Sequence, residues 1–243
     1  MIKKLRQSFL DKQYLSLRQY SAVPIVADYK RLVVTKPWGY EYLFYENPET
    51  ETWHLSINYQ KSTSMHCHPN KKTALVVLEG RALFSSLNES LELMPLDTVL
   101  IDAGVFHSTQ SISKEGLRLL EFETPPMKHD LLRLEDKYGR AQSGYEGADR
   151  MIDEVPNVLK LLDVDYGSKN LCHTSLLVKN IKTKKDIPLD SVSPKTLAVI
   201  LSGVVRSELK EILYLPIHVT TVEEFQDVAH SFENVSVMFL SPK

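Results

Sequence analysis

From residue 31 onward the chain is a succession of short apolar runs cut at nearly even intervals by turn formers. That cadence limits the fold more than any other feature. The runs "RLVV", "YEYLFYE", "TWHLSINYQ", "TALVVLEGRALFSSL", "ESLELM", "DTVLIDAG" and "LRLLEFET" are rich in β-branched and aromatic residues. Between them stand Pro37-Trp38-Gly39, Asn47-Pro48, Pro69-Asn70 and Ala103-Gly104. Many short strands at regular spacing predict a mostly-β sandwich or barrel. After Gly167 the texture returns in "HTSLLVKNI", "TLAVILSGVV" and "VSVMFLS". There "TTVEEFQDVAHSF" reads as a helix, with Thr220 or Thr221 as N-cap and acidic residues in its first turn.

Helical spacing is expected in three further places. Residues 3–20 set Leu5, Phe9, Leu10, Leu15 and Leu17 among polar and basic neighbours, as an amphipathic helix packed on the main body would. "HDLLRLEDKYGR" and "DEVPNVLKLL" also read as helices, separated by the loop "AQSGYEGADR". The chain thus divides into a helical arm (1–30), a barrel with a closing helix (31–140), a linker with a helix (141–167) and a smaller C-terminal α/β unit (168–243). One internal echo links the parts. "KKTALVVLEG" at 71–80 and "PKTLAVILSG" at 194–203 share Lys-Thr, an apolar strand, a polar residue and Gly, at equal Thr-to-Gly spacing.

Composition excludes several classes of function. Lys+Arg 29 against Asp+Glu 31 leaves a net charge of −2, which argues against general affinity for nucleic acid or an anionic membrane. Only Cys67 and Cys172 are present, without a CxxC pair, so neither a disulfide framework nor a thiolate zinc site is expected. The N-terminus is charged throughout and does not read as a signal peptide. No stretch approaches the eighteen or so apolar residues of a membrane helix. A cytoplasmic location is the expectation.

The chemistry concentrates in "STSMHCHPNKK". On a strand, His66 and His68 share one face and Cys67 takes the other. His107, just after the Ala103-Gly104 turn, is the third candidate. Neutral imidazoles suit zinc, iron, nickel or copper, and less readily magnesium or calcium, whereas isolated histidines are more often structural. One divalent transition metal is expected, zinc first, with iron, manganese, cobalt or nickel as alternatives. His218, without histidine neighbours, is expected to be structural.

The histidine segment resembles the cupin family, whose first motif runs His-x-His, three or four residues, Glu, six residues, Gly, and whose second centres on Pro-x-Gly-x-x-His. His66, His68 and Gly80 match the first, Gly104 and His107 the second. Thr73 stands at the glutamate position, Leu96 at an opening glycine and Asp102 at the proline. Within cupins, "KPWGYEY" (36–42) and "DLLRLEDKYGR" (130–140) are similar to the opening and closing motifs of type II phosphomannose isomerases. The resemblance implies a jelly-roll barrel and a homodimer; the internal echo, rather than the resemblance, suggests 168–243 as a degenerate second cupin half, with chance similarity between two buried strands as the alternative.

It also implies a divalent metal on His66, His68 and His107, and a sugar phosphate or nucleotide sugar as small-molecule partner. Lys71, Lys36 and Arg140 would bind substrate, while Glu121 and Lys71 would act in catalysis. The reaction implied is aldose–ketose isomerisation of the mannose-6-phosphate type. Loss of the glutamate ligand keeps two other readings open: a three-histidine ferrous dioxygenase, or a non-catalytic sugar-phosphate-binding or scaffolding barrel in polysaccharide synthesis.

Overall fold

The computed structural model describes residues 1–18, 29–140, 145–153 and 168–243. In chain order, the first elements are β1 (Ile2–Leu5), α1 (Phe9–Ser16), β2 (Val33–Lys36), β3 (Gly39–Glu46), β4 (Glu51–Ile57), β5 (Met65–Cys67) and β6 (Lys72–Glu79). Next come β7 (Ala82–Ser86), β8 (Ser90–Leu93), β9 (Thr98–Ile101), β10 (His107–Ser111), β11 (Leu117–Thr124), β12 (Leu132–Glu135) and β13 (Met151–Ile152). The C-terminal elements are β14 (Lys169–Leu171), β15 (Thr174–Ile181), β16 (Leu197–Arg206), β17 (Ile212–Tyr214), β18 (Val219–Thr221), α2 (Val222–Val228) and β19 (Ser231–Pro242).

The mostly-β expectation holds. An eight-stranded sheet, ordered β1-β9-β6-β11-β4-β3-β2-β13, faces a five-stranded sheet ordered β12-β5-β10-β7-β8, and together they make the jelly-roll-like body. A six-stranded sheet, β14-β15-β19-β16-β17 with β18 on β16, covers the outer face of the first. The eight-stranded sheet therefore lies between two layers, and its strand alternation sorts side chains between two cores. Leu75 and Val77 of β6 point inward with Trp53, Leu55, Leu119 and Phe84; Ala74, Val76 and Leu78 point outward onto Leu197, Val199, Leu201 and Met238. Strands buried on both faces have to be apolar throughout, which is why "TALVVL" shows no polar alternation.

The same logic accounts for the internal echo. β6 and β16 are both interior strands of their sheets. Each apolar run is followed by a left-handed glycine (Gly80 φ 83°, Gly203 φ 80°) at a place where a Cβ would fall 2.2–2.3 Å from a backbone oxygen. On the far side of the C-terminal sheet, α2 buries Val222 and Phe225 against Ala198, Ile200 and Val237. Its cap is Thr221, which accepts from the Glu224 amide, as expected.

Two expected helices are corrected. The arm begins as strand β1, paired in parallel with β9 from Ile2↔Thr98 to Leu5↔Ile101, and among its described residues only Phe9–Ser16 is α-helical. The helix starts where Ser8 and Asp11 form a reciprocal capping box, which leaves residues 2–5 free to extend the sheet. Phe9 and Leu17 are exposed rather than packed on the body. The closing helix expected within 129–140 is instead strand β12 followed by a turn. Its alternation buries Arg133 at 4% exposure, and the Asp136 carboxylate accepts from the Tyr138 and Arg140 amides, closing the chain into a tight turn. The helix expected over 153–162 falls, apart from Asp153, outside the described residues.

Candidate metal and substrate site

The cavity opens between the two sheets of the jelly roll. His66 on β5 lies directly across from His107 on β10, while His68 follows β5 by one residue and returns to the same face. Period-two alternation sends both inward and leaves Cys67 fully buried on the other side, where burial pushes its thiol pKa up to about 12. One ligand nitrogen from each of His66, His68 and His107 lies within 4.8 Å of the others.

The orientation of the rings is more telling than their proximity. His66 Nδ1 lies 2.8 Å from the Ser64 carbonyl, His68 Nδ1 2.6 Å from that of Asp130, and His107 Nδ1 3.0 Å from that of Val105. A carbonyl can only accept, so each Nδ1 carries the proton and each Nε2 presents a lone pair. The His68 Nε2 is buried without a hydrogen-bond partner. Burial depresses all three pKa values; His107 and His68 lower His66 further, and Lys71 and His107 lower His68 further, so the rings are neutral. Three neutral imidazoles held through Nδ1–H···O=C contacts are the donor set and outer support that a transition metal takes. Among the described residues this is the site that fits one.

Thr73 holds the strand position where the motif has glutamate. It points inward from β6, paired with Glu123 of β11, and its hydroxyl has no partner. The carboxylate nearest the histidines comes from that neighbouring strand: Glu121 Oε1 lies 3.8 Å from His68 Nε2. Glu121 is buried at 7% exposure, unlike a solvated strand-end group. Lys71 is buried too, with Nζ 2.7 Å from Glu123 Oε2 but not aligned as a hydrogen bond. Lys72, its neighbour in sequence, lies exposed beside Asp102.

Beyond the histidines the cavity wall is densely charged. Lys36 and Arg140, both picked out in the sequence, line it together with Glu41, Glu123, Lys128, Arg133 and Tyr145. Lys128 sits 3.7 Å over the Trp53 ring, 3.1 Å from Glu41 and 3.5 Å from Glu123. Burial alone would raise the Glu41 pKa; Lys128 and Lys36 outweigh it and hold the carboxyl at about 2. Lys36 contacts Glu41 at 3.3 Å and pairs with Glu146. Arg133 and Arg140 reach the same Glu146 carboxylate at 3.4 and 2.5 Å.

Sequence reasoning missed Glu41, Glu123 and Lys128 as part of this cavity, and Glu146 as the partner of three of its cations. For the two strand residues a signal existed. Glu123 has the parity of the inward Leu117 and Leu119, and Glu41 that of Leu43, so a charge stands where the apolar pattern points into the barrel. Lys128 and Glu146 lie in loops, where no periodicity marks them.

No family model and no curated protein matches the chain. Solved structures similar to it include cupin-superfamily proteins. One is a sugar phosphate isomerase of Silicibacter pomeroyi DSS-3, 15% identical, with 31% of this chain and 50% of that one covered at a TM-score of 0.30. A double-stranded β-helix protein of Klebsiella pneumoniae is 14% identical over 49% of this chain and 93% of that one, at 0.36. The capsular polysaccharide assembling protein CapF of Staphylococcus aureus is 18% identical over 43% and 34%, at 0.38. The chain spans about half the length of the isomerase and a third of CapF. The fold is mostly β. Among the described residues, no helix is long and apolar enough to cross a membrane.

Proposed function

We propose that the chain is a metal-dependent cupin acting on a phosphorylated or nucleotide-linked sugar, with aldose–ketose isomerisation of the mannose-6-phosphate type as its reaction. The convergence of three Nε2 lone pairs, each fixed by an Nδ1–H to a backbone carbonyl, carries the metal part. His66, His68 and His107 would hold the ion, zinc before iron, manganese, cobalt or nickel. When bound, such an ion acts as a Lewis acid toward a substrate carbonyl or hydroxyl oxygen.

The remaining chemistry belongs to the chain. Isomerisation removes a proton from the carbon beside the carbonyl; the C–H electron pair forms the enediolate double bond while the carbonyl pair moves to its oxygen. A proton then passes from the adjacent hydroxyl to that oxygen, and the former carbonyl carbon takes a proton back as the new carbonyl forms. The Glu121 carboxylate, beside the histidines, is placed to accept that proton and give it back. Lys71, held by Glu123, supports negative charge growing on the sugar oxygens. Lys36 and Arg140 supply cations for the phosphate. Aromatic and aliphatic walls from Trp38, Leu55, Leu75 and Leu119 keep bulk water away.

Elemental analysis of the purified protein tests this first. The expected result is about one equivalent of transition metal in wild type, lost in His66→Ala and His68→Ala, and aldose–ketose turnover that falls about 100-fold or more in Glu121→Gln with metal retained. Wild type that is metal-free and cannot be loaded overturns the reading. Iron with ligand-dependent oxygen uptake, and no isomerisation, would replace it with the dioxygenase.

A further inference from the structure

Glu146 sits where a ligand's acidic group would go. Its carboxylate is buried at 6% side-chain exposure and is met by three cations from three places in the chain: Lys36 at the end of β2, Arg133 on β12 and Arg140 in the turn beyond it. Burial would raise its pKa, but Lys36 and Arg133 hold it below the ordinary value, so the group is an anion. All three cations line the histidine cavity. Tyr145, the preceding residue, enters the same cavity, donates its hydroxyl to Glu41 and lies under Lys36 at 3.9 Å.

With Tyr145 on its wall and Glu146 on three of its cations, the cavity encloses only about 60 Å³. That is a few waters' worth and far below the roughly 300–1,000 Å³ of pockets that take small organic ligands. Outward movement of Tyr145, and with it the adjacent Glu146, would open room for a sugar. Apart from the contacts of Tyr145 and Glu146 themselves, the described part of their segment is held by Thr35, which donates its hydroxyl to the Arg150 carbonyl, and by β13, two residues paired with Val33 and Val34. Residues 147–150, 152 and 153 are exposed and Met151 is half-buried, and elements with so little burial open at low free energy.

Charge accounting points the same way. The cavity wall carries Lys36, Lys71, Lys128, Arg133 and Arg140 against Glu41, Glu121 and Glu123. Glu146 supplies a further carboxylate to three of those cations, Lys36, Arg133 and Arg140. Its withdrawal leaves their buried positive charge less compensated, which an incoming oxyanion offsets.

We propose that Glu146 is an internal stand-in for the substrate's acidic group: it fills an oxyanion site built by Lys36, Arg133 and Arg140, and a ligand carrying a phosphate or carboxylate displaces it together with Tyr145. This rests on the reading above for the identity of the cavity and deepens it, but does not depend on the metal. The strap keeps small neutral molecules and water-borne cations out, and it sets the ligand's affinity through the cost of displacing it.

The test is calorimetric titration of chelator-treated full-length protein with inorganic phosphate and with acetate, alongside a thermal melt of each variant. Glu146→Gln, which keeps the shape and removes the charge, is expected to bind phosphate about tenfold more tightly than wild type. Asp149→Asn, an exposed change in the same segment, leaves affinity unchanged, and Glu146→Gln/Arg140→Met loses the gain. Whichever oxyanion gains more identifies the group the site takes. A folded Glu146→Gln with wild-type affinity for both ions overturns the proposal, as does a gain that survives Arg140→Met. A Glu146→Gln protein that stays unfolded even with phosphate present also overturns it, since the ligand must be able to replace the carboxylate. Because the titration is run without metal, failure of the metal reading leaves its outcome intact.

Discussion

At the scale of the residue, imidazoles divide by whether their nitrogens have work. The three cavity histidines have every Nδ1 engaged, whereas His54, on the outer face of the middle sheet, has neither nitrogen hydrogen-bonded and stacks on Tyr42 at 4.8 Å. Burial, helped by Arg118, pulls its pKa down to about 3. The folded-state value lies below the unfolded one of about 6.5, so the stabilisation is complete above that pH and drains away as pH falls from 6.5 toward 3. The loss is at most about 1.4 kcal/mol per pH unit for one proton. His54→Phe is expected to make urea midpoints at pH 7 and pH 4 differ less than in wild type. The cavity histidines titrate in the same direction and keep the remaining slope. An unchanged difference would mean that His54 is not the neutral buried group described here.

At the scale of the element, the helix α1 matters less for its own apolar face than for what its cap holds. Asp11 accepts from Ser8 and, with its other oxygen, from the Phe106 amide at 2.9 Å, one residue before His107. Ser8→Ala removes only a cap and should cost about 1 kcal/mol. Asp11→Ala also strands a buried amide at the start of β10 and should cost about 2–3 kcal/mol in denaturant melts. The β16–β17 hairpin offers the opposite sign. Lys210, exposed, turns through φ 62°, a left-handed conformation that glycine adopts without strain. Lys210→Gly is expected to gain about 0.5–1 kcal/mol, read as a higher urea midpoint.

These elements also show what the sequence made legible. Strands announced themselves because strand texture is set by local side-chain chemistry. Residue type narrows the N-cap to Thr220 or Thr221, and the structure selects Thr221; the left-handed turns at Gly80 and Gly203 emerge only with the structure. The histidine triad was readable because alternation alone puts His66 and His68 on one face. Residues 2–5 and 132–135 misled because four residues carry too little periodicity to separate a strand from a helical turn, and pairing with β9 or β5 decided the matter. Leu96 at φ 68° takes the turn of the motif's glycine without being glycine, so identity there concealed geometry. Glu121 as the carboxylate beside His68 depends on β11 lying next to β6, and strand order across a sheet is not written in any local pattern.

At the scale of the whole molecule, the three sheets share their cores so fully that they should unfold together. Val33, Tyr42, Phe44 and Phe122 of the middle sheet are buried by Leu197, Val199, Leu201 and Met238 of the C-terminal one. A single thermal transition is expected, with cavity and C-terminal sheet lost at the same temperature. Val199→Asp, an unpaired charge at the centre of that contact, should remove more than about 4 kcal/mol. Two separated transitions in wild type would show instead that the C-terminal sheet is a loosely docked cover.

A sheet walled in on both sides has a counterpart in how the gene can change. Along 74–78 and 119–122 a survey of all single substitutions should find an unbroken strip of intolerance, because each successive residue answers to a different core. Along β7 and β8, where buried and open positions alternate, tolerance should alternate as well. Variation accumulating in this chain is thereby steered toward one outer face of the barrel and the strap at its mouth, leaving the middle layer as the part least able to drift.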